Sequence, residues 1–364
     1  MHNGKRLAAA RKRRKMTAKG LAGLCGLSPV TITRLEADQN EADPTTIEKI
    51  AEVLDYPIDY FTLPDPPALS AEQVSFRSLT NMSAKEREAA FAAGGAGVEM
   101  FRWAEEFYDL PDLDLPDLRA DTEYSPESAA EALRAHWQLG DRPIPAVLKL
   151  FEAKGIRILG LSEDTKNVDA FSFWMDNVPY MFLNSFKSAE RNLFDACHEL
   201  GHLAMHRHGT MGGGREAENE ANAFASAFLM PRSDIVAHVP RFIDVKVILR
   251  LKRRWRVSAM ALAYRLRQLG MLTEWQHRTI CIHLGKLGYR SDEPEGIDRE
   301  TSVVWSQILA DLWSKRETKE SIARVVKLPL DEVDGLLRGL LAPEKRTENQ
   351  LPAVGTKTVL RLVK

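Results

Sequence analysis

Residues 195–209 read DACHELGHLAMHRHG, which places four histidines and one glutamate within fifteen positions of a chain that has nine histidines in all. Within it, His198-Glu199-Leu200-Gly201-His202 has the form H-E-x-x-H. Helical geometry says what that spacing can do. Positions four apart differ by about 40° around the axis, so both imidazoles leave one side and can grip a single Zn2+. Glu199 is rotated by about 100° from His198, off the ion but beside a bound water. There it can take that water's proton and hand it to a leaving amine. The helix would also pack without an ion, because Leu200, Leu203, Ala204 and Met205 give it an apolar face. His206 and His208 read as a solvent-facing cap of its end, and Cys197 as a packed, inert thiol.

Two rings are too few for a tetrahedral catalytic site, which needs a third protein ligand. Downstream, REAENEANAFASAFLMP (215–231) reads as a helix carrying Glu216, Glu218 and Glu220. Each acid lies about 200° from the next, so counting does not choose among them. Glu218 has one distinguishing feature. Asn222 follows one turn later on the same face, placed to hold a ligand imidazole by its far nitrogen.

These blocks, HELGHLAMH and then E-x-E-A-N-x-F-A-x-x-F-L-M-P, with SAERNLFDACHELGH leading in, resemble the ImmA/IrrE family of metallopeptidases over roughly 150–240. The resemblance implies a zinc-dependent endopeptidase of the gluzincin kind, with a small sheet beside the H-E-x-x-H helix. It implies a third ligand on the helix that ends in Leu229-Met230-Pro231, which falls on Glu218, with Glu220 in reserve. The expected site is therefore His198, His202 and Glu218 on the metal, Glu199 as base and then acid, and Asn222 behind a ligand. Strand 178–184 or its neighbour is expected to be an edge along which a substrate chain lies extended.

The elements around this site follow from punctuation and periodicity. GIRILGL (155–161), AFSFWM (170–175) and VPYMFLN (178–184) are short β-branched or aromatic runs, the last two separated by the hairpin signal Asp176-Asn177. Ser83 with Glu86 predicts a capping box ahead of a long helix. Pro126 opens a helix over 125–140, and LPDPPALS (63–70) cannot propagate one and serves as a linker. VILRLKRRWRVSAMALAYRLRQLGML (247–272) is a basic amphipathic helical pair expected to pack on the body rather than on nucleic acid. ETKESIARVVKLPLDEVDGLL (317–337) has helix-turn-helix rhythm that three-helix packing explains equally well. The last twenty or so residues read as a loose tail.

The N-terminus is a different kind of module. Residues 1–35 hold nine Lys and Arg and no acid, on a chain of net charge −1. Thr17 caps a helix with Leu21, Ala22 and Leu24 at helical spacing, and Gly26 marks a turn. Ser28-Pro29 then opens a helix with Ile32 and Leu35 inward, and Pro44-Thr45 another with Ile47, Ile50, Ala51 and Leu54. Residues 4–61 thereby resemble the XRE-type (lambda-repressor-like) helix-turn-helix domain. Asp38 departs from the glycine usual there, so the turn after helix 28–36 is expected to be less tight. The resemblance implies that helix 28–36 enters the major groove of operator DNA. Ser28, Pro29, Val30, Thr31 and Arg34 would then meet base edges or phosphates, with Arg34 the residue for a bidentate guanine contact. Arg11, Arg13 and Arg14, with Lys12 and Lys15, would neutralise phosphates.

Composition bounds the rest. The chain has 364 residues, 44% apolar and 28% charged, enough for two or three cores. Its three cysteines are far apart and form no CxxC pair, which excludes a disulfide framework and suits a reducing compartment. No apolar run approaches the roughly 20 residues of a bilayer span. The expectation is a cytoplasmic, mainly α protein: a five-helix N-terminal domain (1–64), a linker and helical segment (65–120), an α+β zincin-like domain with a small sheet (121–275) and a helical C-terminal extension (276–364). Its expected function is DNA-binding regulation joined to zinc-dependent cleavage of a partner such as a repressor or antitoxin, with a homodimer possible. The rivals are a non-catalytic metal-binding sensor or dimerisation body, and a toxin–antitoxin-type binding protein.

Overall fold

The computed structural model describes residues 2–70, 74, 82–118, 125–161, 170–206, 214–342 and 361–362. The N-terminal module comprises α1 (Gly4–Arg13), α2 (Ala18–Cys25), α3 (Pro29–Glu36) and α4 (Pro44–Leu54), closed by a 3-10 turn at Ile58–Thr62. Every α-helix starts on a capping side chain: Asn3, Thr17, Ser28 and Asp43 each accept from a first-turn N–H. Gly26 turns α2 into α3 in the left-handed conformation, at φ 68°. Leu7, Leu21, Ile32, Leu35, Ile50, Leu54 and Phe61 fill the core. The turn after α3 is not loosened by Asp38. That residue adopts the left-handed conformation itself, at φ 52°, and its carboxylate accepts from the Gly4 N–H at 2.7 Å. An aspartate tolerates this conformation better than most side chains.

A capping box at Ser83 and Glu86 starts α5 (Ala84–Phe107). One side of α5 receives α1, where the Arg6 guanidinium meets Glu99 at 2.5 Å. The other side lies on the sheet. A methyl at Gly97 would collide with Leu159 and the Phe182 ring, so this close approach requires glycine. Then come β1 (Tyr108–Asp109), α6 (Pro126–His136), α7 (Val147–Ala153), β2 (Arg157–Leu161), β3 (Ala170–Met175) and β4 (Val178–Asn184).

The sheet has the order β2-β4-β3, with β2 parallel and β3 antiparallel to β4. Asp176 and Asn177 join β3 to β4 with φ of 51° and 62°, the pair of positive values that a two-residue hairpin turn needs. Strand 178–184, expected with its neighbour as an edge, is central; β3 and β2 are the two edges. Val74 forms an isolated antiparallel bridge to Phe173 on that outer side. Alternation along β3 divides its side chains between two layers. Phe171 and Phe173 stack with Tyr180 and Phe182 under α5. Ser172 and Trp174 reach the opposite layer.

That opposite layer begins with α8 (Ala189–Gly201), which runs on into a π-helical turn at His202–His206. It continues with α9 (Arg215–Leu229), α10 (Arg232–His238), α11 (Val245–Trp255), α12 (Ala259–Gln268) and α13 (Glu274–Lys286). Three cations of the basic pair turn inward, while Arg250 and Arg253 stay exposed. Lys252 is buried between Glu293 at 2.8 Å and Glu190 at 3.4 Å, Arg254 forks onto Asp234, and Arg265 onto Glu127. The chain ends in α14 (Val303–Ser314), α15 (Lys319–Val326) and α16 (Leu330–Leu337), which packs on β2, and in β5 (Arg361–Leu362), which pairs antiparallel with β1. At least that part of the expected loose tail is paired. No helix among the described residues is long and apolar enough to cross a membrane.

Candidate metal centre and DNA-facing helix

α8 and α9 pack side by side, and their facing surfaces bring His198, His202 and Glu218 together. His198 Nε2 and His202 Nε2 lie 3.1 Å apart. Glu218 presents Oε2 to His198 Nε2 at 3.3 Å and Oε1 to His202 Nε2 at 3.4 Å. Metal–ligand bonds of about 2.0–2.1 Å at tetrahedral angles would separate ligand atoms by roughly 3.3–3.4 Å, and each of these contacts is close to that length, with one carboxylate oxygen facing each ring. His202 and Glu218 are buried and His198 half-buried. The three groups are strongly coupled. Burial would raise the Glu218 carboxyl, yet hydrogen bonds and charge from His198 and His202 hold it far below the usual carboxylate range. Burial opposes charge on His198, but Glu218 and Glu199 together push its imidazole above the ordinary value. Two imidazole nitrogens and a carboxylate are the donor set of a His2Glu zinc site, so the residues fit the ion.

Around these three, other side chains fix orientation. His198 Nδ1 is 3.1 Å from Asn222 Oδ1, the contact expected of Asn222. Since that oxygen only accepts, His198 donates through Nδ1 and turns its Nε2 lone pair toward the centre. Glu199 lies buried below the same turn, and the Ser172 hydroxyl donates to its Oε2 at 2.6 Å. Ser172 was not singled out in the sequence; an isolated serine in an aromatic strand gives no local sign of a partner 27 positions away.

His206 is not the solvent-facing cap expected of it. It sits half-buried, with Nδ1 3.0 Å from His202 Nδ1 and Nε2 2.8 Å from Glu220 Oε2. Glu220, the reserve ligand, therefore reaches His206 and not the three converging groups. His208 lies outside the described residues. Cys197 is fully buried, and burial pushes its thiol well above the ordinary range, so it is packed and protonated. A cavity of about 810 Å³ opens beside Asn222 between α8, α9, α12 and α13, lined among others by Asp195, Asn219, Ser226, Tyr264 and His277. That volume is in the range of ligand-binding clefts.

In the N-terminal module, Ser28, Pro29, Val30 and Arg34 are exposed on α3 and Thr31 is half-buried. They form one accessible surface. The arginines expected to neutralise phosphates are engaged elsewhere. Arg11 forks onto Glu36 at 2.5 and 2.9 Å. Arg13 pairs with Glu332 at 2.5 Å and Arg14 with Asp331 at 2.5 Å, both on the acidic first turn of α16. The physical reason is local neutralisation: three cations on α1 and the turn after it meet three acids that tertiary packing delivers to them.

The fold and site thus define a mainly helical protein in which a helix-turn-helix module precedes a metallopeptidase-like α+β body. Residues 7–61 match the helix-turn-helix family model, and residues 151–267 match the model of an IrrE N-terminal-like domain. The chain therefore joins an XRE-type DNA-binding domain to an ImmA/IrrE-type domain, in that order. The first match supports binding of double-stranded DNA. No curated protein matches the chain.

Proposed function

We propose that the chain is a transcriptional regulator that reads an operator through α3 and carries a zinc-dependent endopeptidase centre acting on a partner regulatory protein, such as a repressor or antitoxin. The observation that carries the catalytic part is the convergence of His198 Nε2, His202 Nε2 and the Glu218 carboxylate at contacts of 3.1–3.4 Å, with Glu199 next to His198 in the chain. When bound, zinc would supply Lewis acidity toward the scissile carbonyl and ease the ionisation of water. The protein's own groups do the rest. His198, His202 and Glu218 hold the ion, and Asn222 keeps His198 in the tautomer that can ligate. Ser172 fixes the Glu199 carboxylate by one oxygen. That carboxylate takes a proton from the attacking water and returns it to the leaving nitrogen, as general base and then general acid.

Metal analysis tests the centre directly. The purified chain is expected to carry close to one zinc per molecule, and the His202→Ala chain almost none. Equal zinc in the two would remove these three residues as the site. For the DNA claim, Arg34→Ala is expected to weaken specific operator binding by about 1–3 kcal/mol and to relax preference at one base pair. A titration showing unchanged affinity and preference would take Arg34 out of the readout.

A further inference from the structure

We infer that His206 and Glu220 form a relay that sets the proton position on His202 and so prepares it to ligate; this rests on the metal-centre reading above. The argument is one of donors and acceptors. An ionised carboxylate only accepts, so the 2.8 Å contact to Glu220 Oε2 requires the proton of His206 to sit on Nε2. A neutral imidazole protonated there has a lone pair on Nδ1. That nitrogen lies 3.0 Å from His202 Nδ1 and accepts from it. With its proton held on Nδ1, His202 turns a bare Nε2 toward His198 Nε2 at 3.1 Å and Glu218 Oε1 at 3.4 Å. Reversing the chain of donation would place the proton on His202 Nε2, the atom that must bond the ion. Glu220 on α9 thus dictates the tautomer of a ring two hydrogen bonds away on α8.

Both ligand imidazoles are then held through Nδ1 by groups of different kinds. Asn222 holds His198 with a neutral amide oxygen, whereas the relay ends in a full negative charge, which raises the basicity of His202 more. His206 and Glu220 are positioning residues; neither offers an atom to the ion, and His206 acts through its contact with His202. The sequence held the signal: His206 follows His202 by four positions, one helical turn on the same face.

The test is zinc affinity, measured with Zn2+ alone in competition with a chromophoric chelator. Four chains are compared with the parent: His206→Leu, His206→Gln, Glu220→Ala, and His202→Ala as the ligand-loss control. His206→Leu and Glu220→Ala are expected to bind zinc 10–100-fold more weakly. Glu220 is 42% exposed in its side chain, so its truncation leaves the packing intact. His206→Gln is expected to stay within a few-fold of the parent, because its amide oxygen accepts from His202 and its amide nitrogen donates to Glu220. Affinities of His206→Leu and Glu220→Ala within twofold of the parent, with His202→Ala defective, would overturn the relay and leave the metal centre standing. A parent that binds no zinc, or a His202→Ala chain that binds as well as the parent, would overturn both.

Discussion

Glu199→Gln is expected to lower peptide-bond hydrolysis by about 10²–10⁴-fold and to leave zinc content unchanged. The substitution is nearly isosteric. Its amide oxygen still accepts from the Ser172 hydroxyl, so the buried contact at 2.6 Å keeps an acceptor. The change removes only the ability to take up a proton. Loss of turnover without loss of metal would therefore locate the defect in proton transfer rather than in assembly of the site. The regulatory meaning is read in the same variant. If the promoter responds to its signal as it does with the parent chain, cleavage is no part of regulation and the body acts by binding alone. A response that vanishes while operator binding persists assigns regulation to the peptidase step.

The second large effect lies far from that site. Glu332→Ala is expected to destabilise the folded chain by about 3–5 kcal/mol, because it removes a buried carboxylate that pairs with Arg13 at 2.5 Å and lies 3.4 Å from Arg14. Arg14 keeps Asp331 and the carbonyls of Leu54 and Asp55. Urea unfolding followed by circular dichroism gives the number. The variant should also separate melting of the N-terminal module from that of the body, since α16 is one of the surfaces on which the module rests. A loss below 1 kcal/mol with a single undivided transition would show that the contact contributes little to docking.

These two sites show what was written locally in the chain and what was not. Caps at Thr17 and Ser28, the turn glycine Gly26, the capping box at Ser83 and Glu86 and the hairpin at Asp176-Asn177 act over a few residues, and each element stands where its signal predicts. The H-E-x-x-H spacing is local too. Glu218 was singled out by Asn222 one turn on, and the structure brings both to the imidazoles. What was not legible is long-range. Arg13 meets an acid 319 positions away, and nothing in a basic run distinguishes a cation bound for phosphate from one bound for a carboxylate of the same chain. Ser172 and the His206–Glu220 pair are likewise defined by which helix lies against which. Helical periodicity gives the face of a residue but not its neighbour.

The bare stretch of α5 has a mechanical meaning. Because no side chain stands at Gly97 to hold it off, the helix rides directly on the stacked rings of the sheet, while α1 rides on the helix. The sheet, α5, α1 and α3 thereby form one continuous run of packed elements from the body to the helix-turn-helix module.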